Sequence, residues 1–315
     1  MTPPDEPRSL VSVAIPTRGR AAWCVEAARS ALEQRGVDVE VVVAMDGEDA
    51  ATRAGLDALH DPRVRVVAQP AAGRSAARNL AWRTSRGARI AFLDDDDRLL
   101  AGSLALRAAA LDAHRDAVLV HGEAVAMDAA GTPIDAAHRR PAAVLAPPAP
   151  PRVRAYDALV SQSKGRSLLP STVMVVRDAL VRAGGFAEDL PTGEDWLLFL
   201  RMSAAGAFVS VAAPVVLYRK HAGQVRWDPV QQEAALPALL SRWFDDPSTP
   251  PRARPYRARL EARLLAYIAR NHRRAGRTAD ADRCLRAAVA KDRRLLLHPR
   301  RARHWLRALL RTSGR

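Results

Sequence analysis

Ile90-Ala91-Phe92-Leu93-Asp94-Asp95-Asp96-Asp97 runs four apolar residues directly into four carboxylates. A short apolar run bounded in this way reads as a buried strand, and the segment after such a strand is where open α/β sheets hold their ligands. Packing four like charges at a strand end raises the cost of folding unless a cation or a positive dipole offsets them. Magnesium and manganese take carboxylate oxygen, keep several waters and share their remaining positions with substrate phosphates, so a divalent ion is the expected occupant. The competing reading is a solvated capping loop for a helix that starts near Ser103. The strand-end position favours the metal.

Outward from this stretch, apolar runs at 10–15, 39–44, 64–68 and 117–120 alternate with helical patterns at 21–34, 50–60, 74–85 and 103–114, with Ser103 as a candidate cap. That alternation predicts a mostly parallel sheet with flanking helices. Across 135–153 periodicity fails, and Pro141, Pro147, Pro148, Pro150 and Pro151 mark a long loop. Order resumes with a strand at 172–176, a helix at 194–204 and one or two strands at 208–218 divided by Pro214. Helical patterns then fill 231–244, 253–275, 278–291 and 300–311, giving a helical C-terminal region.

The 315 residues are 48% hydrophobic and 26% charged, a globular composition that excludes collagen-like, mucin-like and disulfide-scaffold classes. Cys24 and Cys284 are the only cysteines, so no CxxC pair exists and a reducing, cytoplasmic setting is expected. Neither a secretory signal nor a spanning helix is expected: Asp5 and Glu6 come early, and the longest uncharged stretch, 202–218, contains Gly206 and Pro214. The formal charge of +15 is unevenly spread, because residues 230–315 hold 21 basic against 7 acidic residues. We therefore expect a near-neutral domain over 1–229, with halves at about 10–120 and 121–229, and a basic helical region over 230–315. In the last helical pattern, Arg300, Arg301, Arg303, Arg307 and Arg311 accompany Trp305, Leu306, Leu309 and Leu310. It reads either as a solvated bundle helix or as a peripheral contact with an anionic inner membrane face.

Four more segments carry chemistry. Asp46 ends the second strand before Gly47, where it either accepts hydrogen bonds from a ligand or begins a turn. Gly73-Arg74-Ser-Ala-Ala-Arg78-Asn79 opens a helix with two arginines one turn apart, suited to phosphate or to a solvated face. Gly184-Gly185-Phe186 precedes Gly193-Glu194-Asp195, whose carboxylates sit in a first helical turn, as dipole-favoured caps or as groups projecting into a cleft. Tyr218-Arg219-Lys220-His221 puts an imidazole at a strand end.

The ordered set Val11-Ser-Val-Ala-Ile-Pro16-Thr17-Arg18-Gly19-Arg20, Asp46, Ser75-Ala-Ala-Arg78-Asn79, Leu93 to Asp97, Gly184-Gly-Phe186, Glu194-Asp195 and Tyr218-Arg219 with His221 resembles family 2 glycosyltransferases of the GT-A (Rossmann-like) fold. The resemblance covers roughly residues 10–225. It implies that Pro16, Thr17, Arg18 and Asp46 hold the nucleotide and that Arg78 meets the nucleotide or its phosphates. It also implies that Asp94 and Asp96 form the family's Asp-x-Asp, with Asp95 between them as a ribose or metal contact, and that Asp195 is the base with Glu194 beside it; the metal-competent imidazole of His221 is a candidate further ligand. Many members carry an aromatic-Asn pair where this chain has Arg18-Gly19, leaving a guanidinium plane, or nothing, to stack on the base.

The implied activity is metal-dependent, inverting transfer of a sugar from a nucleotide-diphosphate sugar, a UDP-sugar favoured, to a glycan, lipid-linked or small-molecule hydroxyl. Two rivals remain. A sugar-phosphate nucleotidyltransferase needs a Gly-rich basic loop after its first strand, and only Pro16-Thr-Arg-Gly-Arg20 stands there. A nucleic-acid binder would use the basic region, but Trp243, Tyr256, Tyr267 and Trp305 fall within helical patterns and form no stacking platform, so no nucleic-acid partner is expected.

Overall fold

In the computed structural model, residues 10–134, 153–163, 168–224 and 228–297 are described. Two compact units emerge. The first comprises Met1–Asp157, Leu168–Glu188 and Ala205–Gln224; the second comprises Ala158–Ser167, Asp189–Ala204 and Val225–Arg315.

The first unit is a sheet with helices. Strands β1 (Val11–Thr17), β2 (Val39–Asp46), β3 (Val64–Gln69) and β4 (Arg89–Phe92) alternate with helices α1 (Ala21–Leu32), α2 (Ala50–Asp57) and α3 (Arg74–Thr84). The short β5 (Arg98–Leu99), helix α4 (Ser103–Asp112), β6 (Ala117–Met127), β7 (Val153–Tyr156), β8 (Val173–Val176), helix α6 (Arg177–Arg182) and β9 (Ala207–Arg219) complete it; α5 (Ala158–Ser163) lies in the second unit. The described strands follow the order β3-β2-β1-β4-β8-β6-β9-β5, with β7 on β9. Strands β3, β2, β1 and β4 are parallel, as the βα alternation requires; β8 is antiparallel to both β4 and β6, and β6 and β9 run parallel.

Strands β1 and β2 are buried throughout, which explains why Val11–Ile15 and Val41–Val43 read as continuous apolar runs without alternation. They share a core with Ala27, Ala28, Leu93, Leu104 and Val209. The chain steps from β1 outward through β2 and β3, then crosses to the other side of β1 to lay down β4. This reversal is the switch point at which α/β sheets bind ligands, and it sets the ends of β1 and β4 side by side.

Several details differ from expectation. Ser103 does not cap α4; Gly102 takes that position in a left-handed conformation, and the Ser103 hydroxyl accepts a hydrogen bond from the buried Arg107. Pro214 does not divide the strand at 208–218: β9 continues through it, with a register irregularity against β6 near Glu123, because proline has no N–H to give the ladder. The short strands β5 and β7 carry too few residues to show a periodicity of their own. The loop at 135–153 lies outside the described residues up to residue 152.

The second unit is helical. It contains α7 (Glu194–Ala205, the last residue belonging to the first unit), α8 (Pro229–Phe244), α9 (Arg257–Arg274), α10 (Thr278–Lys291) and short 3-10 turns at Pro251–Tyr256 and Arg293–Leu297. The Asp228 side chain caps α8 by accepting from Val230 N, and Pro229 occupies the first turn, where its missing N–H is harmless. Leu260, Leu264, Ile268 and Ala269 give α9 its buried stripe against a largely basic exposed face. The helical pattern at 300–311 lies outside the described residues. Among those described, no helix is long and apolar enough to cross a membrane.

Candidate active site

Three strands end at the same edge of the sheet, and each ends on a predicted site residue: Thr17 on β1, Asp46 on β2 and Asp94 two residues past β4. After Asp94 the chain turns tightly, with Asp97 N donating to the Asp94 carbonyl oxygen at 3.1 Å. Residues Arg98 and Leu99 then pair with Leu217 and Val216 of β9. This pairing brings Arg219 and His221 against carboxylates more than 120 positions earlier in the chain.

The four aspartates have different partners. Asp94 accepts from the buried Arg78 guanidinium at 2.5 Å, and its own N–H donates to Ser171 Oγ at 3.1 Å. Asp95 accepts from Thr17 Oγ1 at 2.7 Å and from Arg20 at 2.8 Å. Asp96 Oδ2 receives Arg20 at 2.9 Å and lies 3.0 Å from His221 Nε2. Asp97 accepts from Ser171 Oγ at 2.6 Å and from Arg219 N at 3.0 Å. The Arg219 side chain is itself buried: Nε donates to the Asp96 carbonyl oxygen at 2.7 Å and another nitrogen to Glu26 at 2.6 Å, while the guanidinium lies 5.1 Å from the Trp23 ring centre.

The electrostatics follow from these partners. Burial opposes ionisation of Asp94, yet Arg78, Arg74 and Arg20 hold its carboxyl below the usual range. Burial pushes the Asp95 carboxyl up to about 6, against the pull of Arg20 and Thr17. Asp97 is pushed well above the usual range by burial and then by the charges of Asp94 and Asp96. The protein's own cations therefore leave the cluster short of positive charge. Ligand oxygens from Asp94, Asp96 and Asp97 lie within 4.8 Å of one another. An oxygen-only set of this kind fits a hard divalent cation.

The remaining predicted residues divide. Asp46 is buried and serves the backbone: Oδ1 accepts from Ala72 N at 2.7 Å and Gly73 N at 3.0 Å, tying down the loop before α3. Arg18 is largely exposed, 3.8 Å from Asp46 Oδ2, and Pro16 is buried within β1. Glu194 and Asp195 belong to the helical unit and form the first turn of α7; Glu194 is buried, whereas Asp195 is half-buried with Oδ1 accepting from Trp196 N at 2.8 Å.

Sequence reasoning passed over Arg20, Ser171 and Asn79. Arg20 stood inside the quoted Thr17-Arg18-Gly19-Arg20, but nothing local distinguishes it from its neighbour Arg18. Asn79 ties Gly184-Gly185-Phe186 to the helix that carries Arg78. Its amide donates to Phe186 O at 2.8 Å and its Oδ1 accepts from Phe186 N at 3.0 Å, holding the Phe186 ring with its centre 5.3 Å from the Arg78 guanidinium. Gly185 must be glycine, since its φ is +73° and a Cβ there would fall 2.7 Å from Asn79 Oδ1.

Comparison with known proteins gives the family and the fold. Residues 12–135 match the model of glycosyl transferase family 2, and residues 152–248 match a second model, glycosyltransferase like family 2. Among curated relatives, the succinoglycan biosynthesis protein ExoO of Rhizobium meliloti is 43% identical over 88 residues, 28% of this chain and 25% of that protein. The chondroitin synthase of Pasteurella multocida is 37% identical over 92 residues, 29% of this chain and 10% of the synthase. The matched segment thus spans a quarter or less of these relatives. In fold, the chain is similar to residues 1–349 of S. aureus TarS, with a TM-score of 0.62 and 15% identity over 90% of this chain and 80% of the other. It is also similar to the mannosyltransferase PcManGT of Pyrobaculum calidifontis, with a TM-score of 0.58 and 18% identity over 97% and 85%. With two family models on consecutive parts of the chain and the GT-A architecture beneath them, the chain belongs to the family 2 glycosyltransferases.

Proposed function

We propose that the chain is a metal-dependent, inverting glycosyltransferase that moves a sugar from a nucleoside-diphosphate sugar, a UDP-sugar favoured, to an acceptor hydroxyl. The observation that carries this reading is the convergence of Asp94, Asp96 and Asp97 oxygens within 4.8 Å at the sheet's switch point. Structural neighbours add support: TarS with UDP-GlcNAc bound, and PcManGT with GDP-Man and Mn2+. Relatives named for succinoglycan, chondroitin and hyaluronan synthesis favour a glycan or lipid-linked acceptor in polysaccharide biosynthesis.

When bound, a divalent ion would supply positive charge against the departing diphosphate. Asp96 and Asp94 would hold it, with His221, 3.0 Å from Asp96 Oδ2, as a further candidate ligand. Asp95, fixed by Thr17 and Arg20, faces the donor, and Arg78 orients Asp94 and lends positive charge toward the phosphates. Pro16, Thr17, Arg18 and Asp46 shape the nucleotide's seat, Asp46 by holding the 72–73 backbone. Asp195 takes the acceptor proton as the hydroxyl attacks the anomeric carbon from the face opposite the diphosphate, with Glu194 supporting it. A single displacement inverts the configuration. Peripheral contact of the basic C-terminal region with an anionic leaflet completes the proposal, tested by vesicle co-sedimentation of the full chain at low and high salt.

A thermal-shift screen of UDP-, GDP- and dTDP-sugars with manganese or with chelator tests the reading. A nucleotide sugar that stabilises only with metal supports it. Pyrophosphate release from a sugar phosphate and a nucleoside triphosphate, with no response to nucleotide sugars, would replace it with a nucleotidyltransferase.

A further inference from the structure

Outside the acidic cluster, the described residues place a second set of metal-competent side chains together, entirely within the helical unit. Glu233 lies in the first turns of α8, His272 in the last turn of α9 and Cys284 in the second turn of α10. One ligand atom from each lies within 4.8 Å of the others. His272 is wholly buried and Cys284 is 1% exposed, while Glu233 keeps one side toward solvent. His272 Nε2 lies 3.2 Å from Glu233 Oε2, and Arg283 grips both Glu233 oxygens, at 2.9 and 2.7 Å.

Two donors from different helices converge on Glu233. His272 turns Nε2 toward the carboxylate, and the buried Nδ1 on the other side of the ring meets no hydrogen-bond partner, so no contact there fixes which nitrogen carries the proton. The Cys284 thiol hydrogen-bonds to the same carboxylate, which sets a soft sulfur donor beside the imidazole and the oxygen. A cation that takes nitrogen, sulfur and oxygen ligands together would stand where these groups now share protons.

We propose that Glu233, His272 and Cys284 form a zinc-binding site in the helical unit. The donor set selects the metal. Zinc accepts thiolate, imidazole and carboxylate in a tetrahedral site of three protein ligands and a water, whereas magnesium and manganese prefer oxygen alone. The solvent-facing side of Glu233 supplies both an entry path and room for the fourth, water ligand. Binding releases the thiol proton to solvent, after which one thiolate and one carboxylate balance the dipositive ion in a buried place. Because the thiol must lose its proton to become a ligand, metal uptake strengthens as pH rises. Arg283 becomes an outer partner that orients the carboxylate. Three helices from one ligand each are thereby tied together.

The test is titration of the full chain, freed of metal by chelation, with cobalt as a spectroscopic stand-in and then with zinc. The expected result is one equivalent of cobalt showing a cobalt–thiolate charge-transfer band, displaced by zinc. That band should vanish in Cys284→Ser, weaken in Glu233→Gln and persist in Asp96→Asn, which disables the carboxylate cluster. Loss of a direct ligand should weaken zinc binding beyond the roughly 10- to 100-fold that losing an outer partner costs. Glu233→Gln, at a partly exposed position, keeps the test decisive should a buried variant fail to fold. Absence of a thiolate band in the unmodified chain, or equal zinc affinity in the unmodified chain and a folded Cys284→Ser or Glu233→Gln variant, overturns the proposal.

Discussion

The acidic cluster after β4 and the Glu233–His272–Cys284 group in the helical unit both gather three ligand atoms within 4.8 Å, and they are built in opposite ways. The first takes its carboxylates from one tetrapeptide and draws in partners from two strand ends and from helix α3, so its donors are hard oxygens in excess of the available positive charge. The second takes one different donor from each of three helices and already has a cation, Arg283, on its only carboxylate. The contrast teaches that local charge density announces an oxygen site in the sequence, whereas a mixed-donor site appears only after the helices pack.

The largest effect expected concerns the division of labour between the units. If the acidic cluster serves the donor and Asp195 of the helical unit serves as base, Asp195→Asn lowers kcat by about 10² to 10⁴ while donor affinity stays near its original value. Steady-state kinetics with a donor titration reads both; a large loss of donor affinity at unchanged kcat would make Asp195 a binding residue.

Next in size is Arg219, a buried side chain on which Asp96, Ala129 and Glu26 all depend. Arg219→Met strands those acceptors and should destabilise by about 3 kcal/mol, seen as a lower urea midpoint at similar slope. A loss within about 0.5 kcal/mol would mean that Arg219 does not hold the cluster in place.

Adjacent glycines offer an internal control. Gly184 and Gly185 have φ of +78° and +73°, but a Cβ at 184 meets nothing within 4 Å, whereas one at 185 strikes Asn79 Oδ1 and crowds Trp82. Gly184→Ala should cost about 1 kcal/mol and Gly185→Ala about 2. Equal losses in thermal unfolding would contradict the Asn79 clamp.

The smallest effect is a pH dependence that separates the two clusters. Because the folded Asp95 carboxyl titrates near 6, above its unfolded value, the folded state binds the extra proton, and the stability this group contributes falls as pH rises from about 4 through 6. Metal-free Asp95→Asn should therefore gain about 1 kcal/mol on the unmodified chain between pH 5 and pH 7. The Cys284 thiol, pushed to about 12, stays protonated over that range, so Cys284→Ser should show no such drift. A pH-independent gap for Asp95→Asn would mean the carboxyl is ionised throughout.

Much of the first unit was legible because its signals are local. Continuous valine runs mark doubly buried strands, and the residues that end β1 and β2 and those that follow β4 are the ones the family resemblance singles out. What the sequence concealed was pairing across distance. That Thr17 serves Asp95, that Asp46 serves the 72–73 amides and that Arg219 returns to Asp97 depends on strand order, which no window of sequence contains. The antiparallel insertion of β8 between β4 and β6 was equally hidden, since a strand's direction leaves no trace in its composition. Glu233, His272 and Cys284 lie on helices that read as ordinary amphipathic segments, and only α8, α9 and α10 packed together make them neighbours.

The central claim is that the aspartates after β4 hold a metal for a nucleoside-diphosphate donor, and calorimetric titration of UDP tests it most directly. The unmodified chain should bind UDP at least tenfold more tightly with manganese than with chelator, a difference of about 1.4 kcal/mol, and Asp96→Asn should abolish that difference without unfolding. Equal UDP affinity with and without metal in the unmodified chain, or a manganese enhancement that survives in Asp96→Asn, would contradict it.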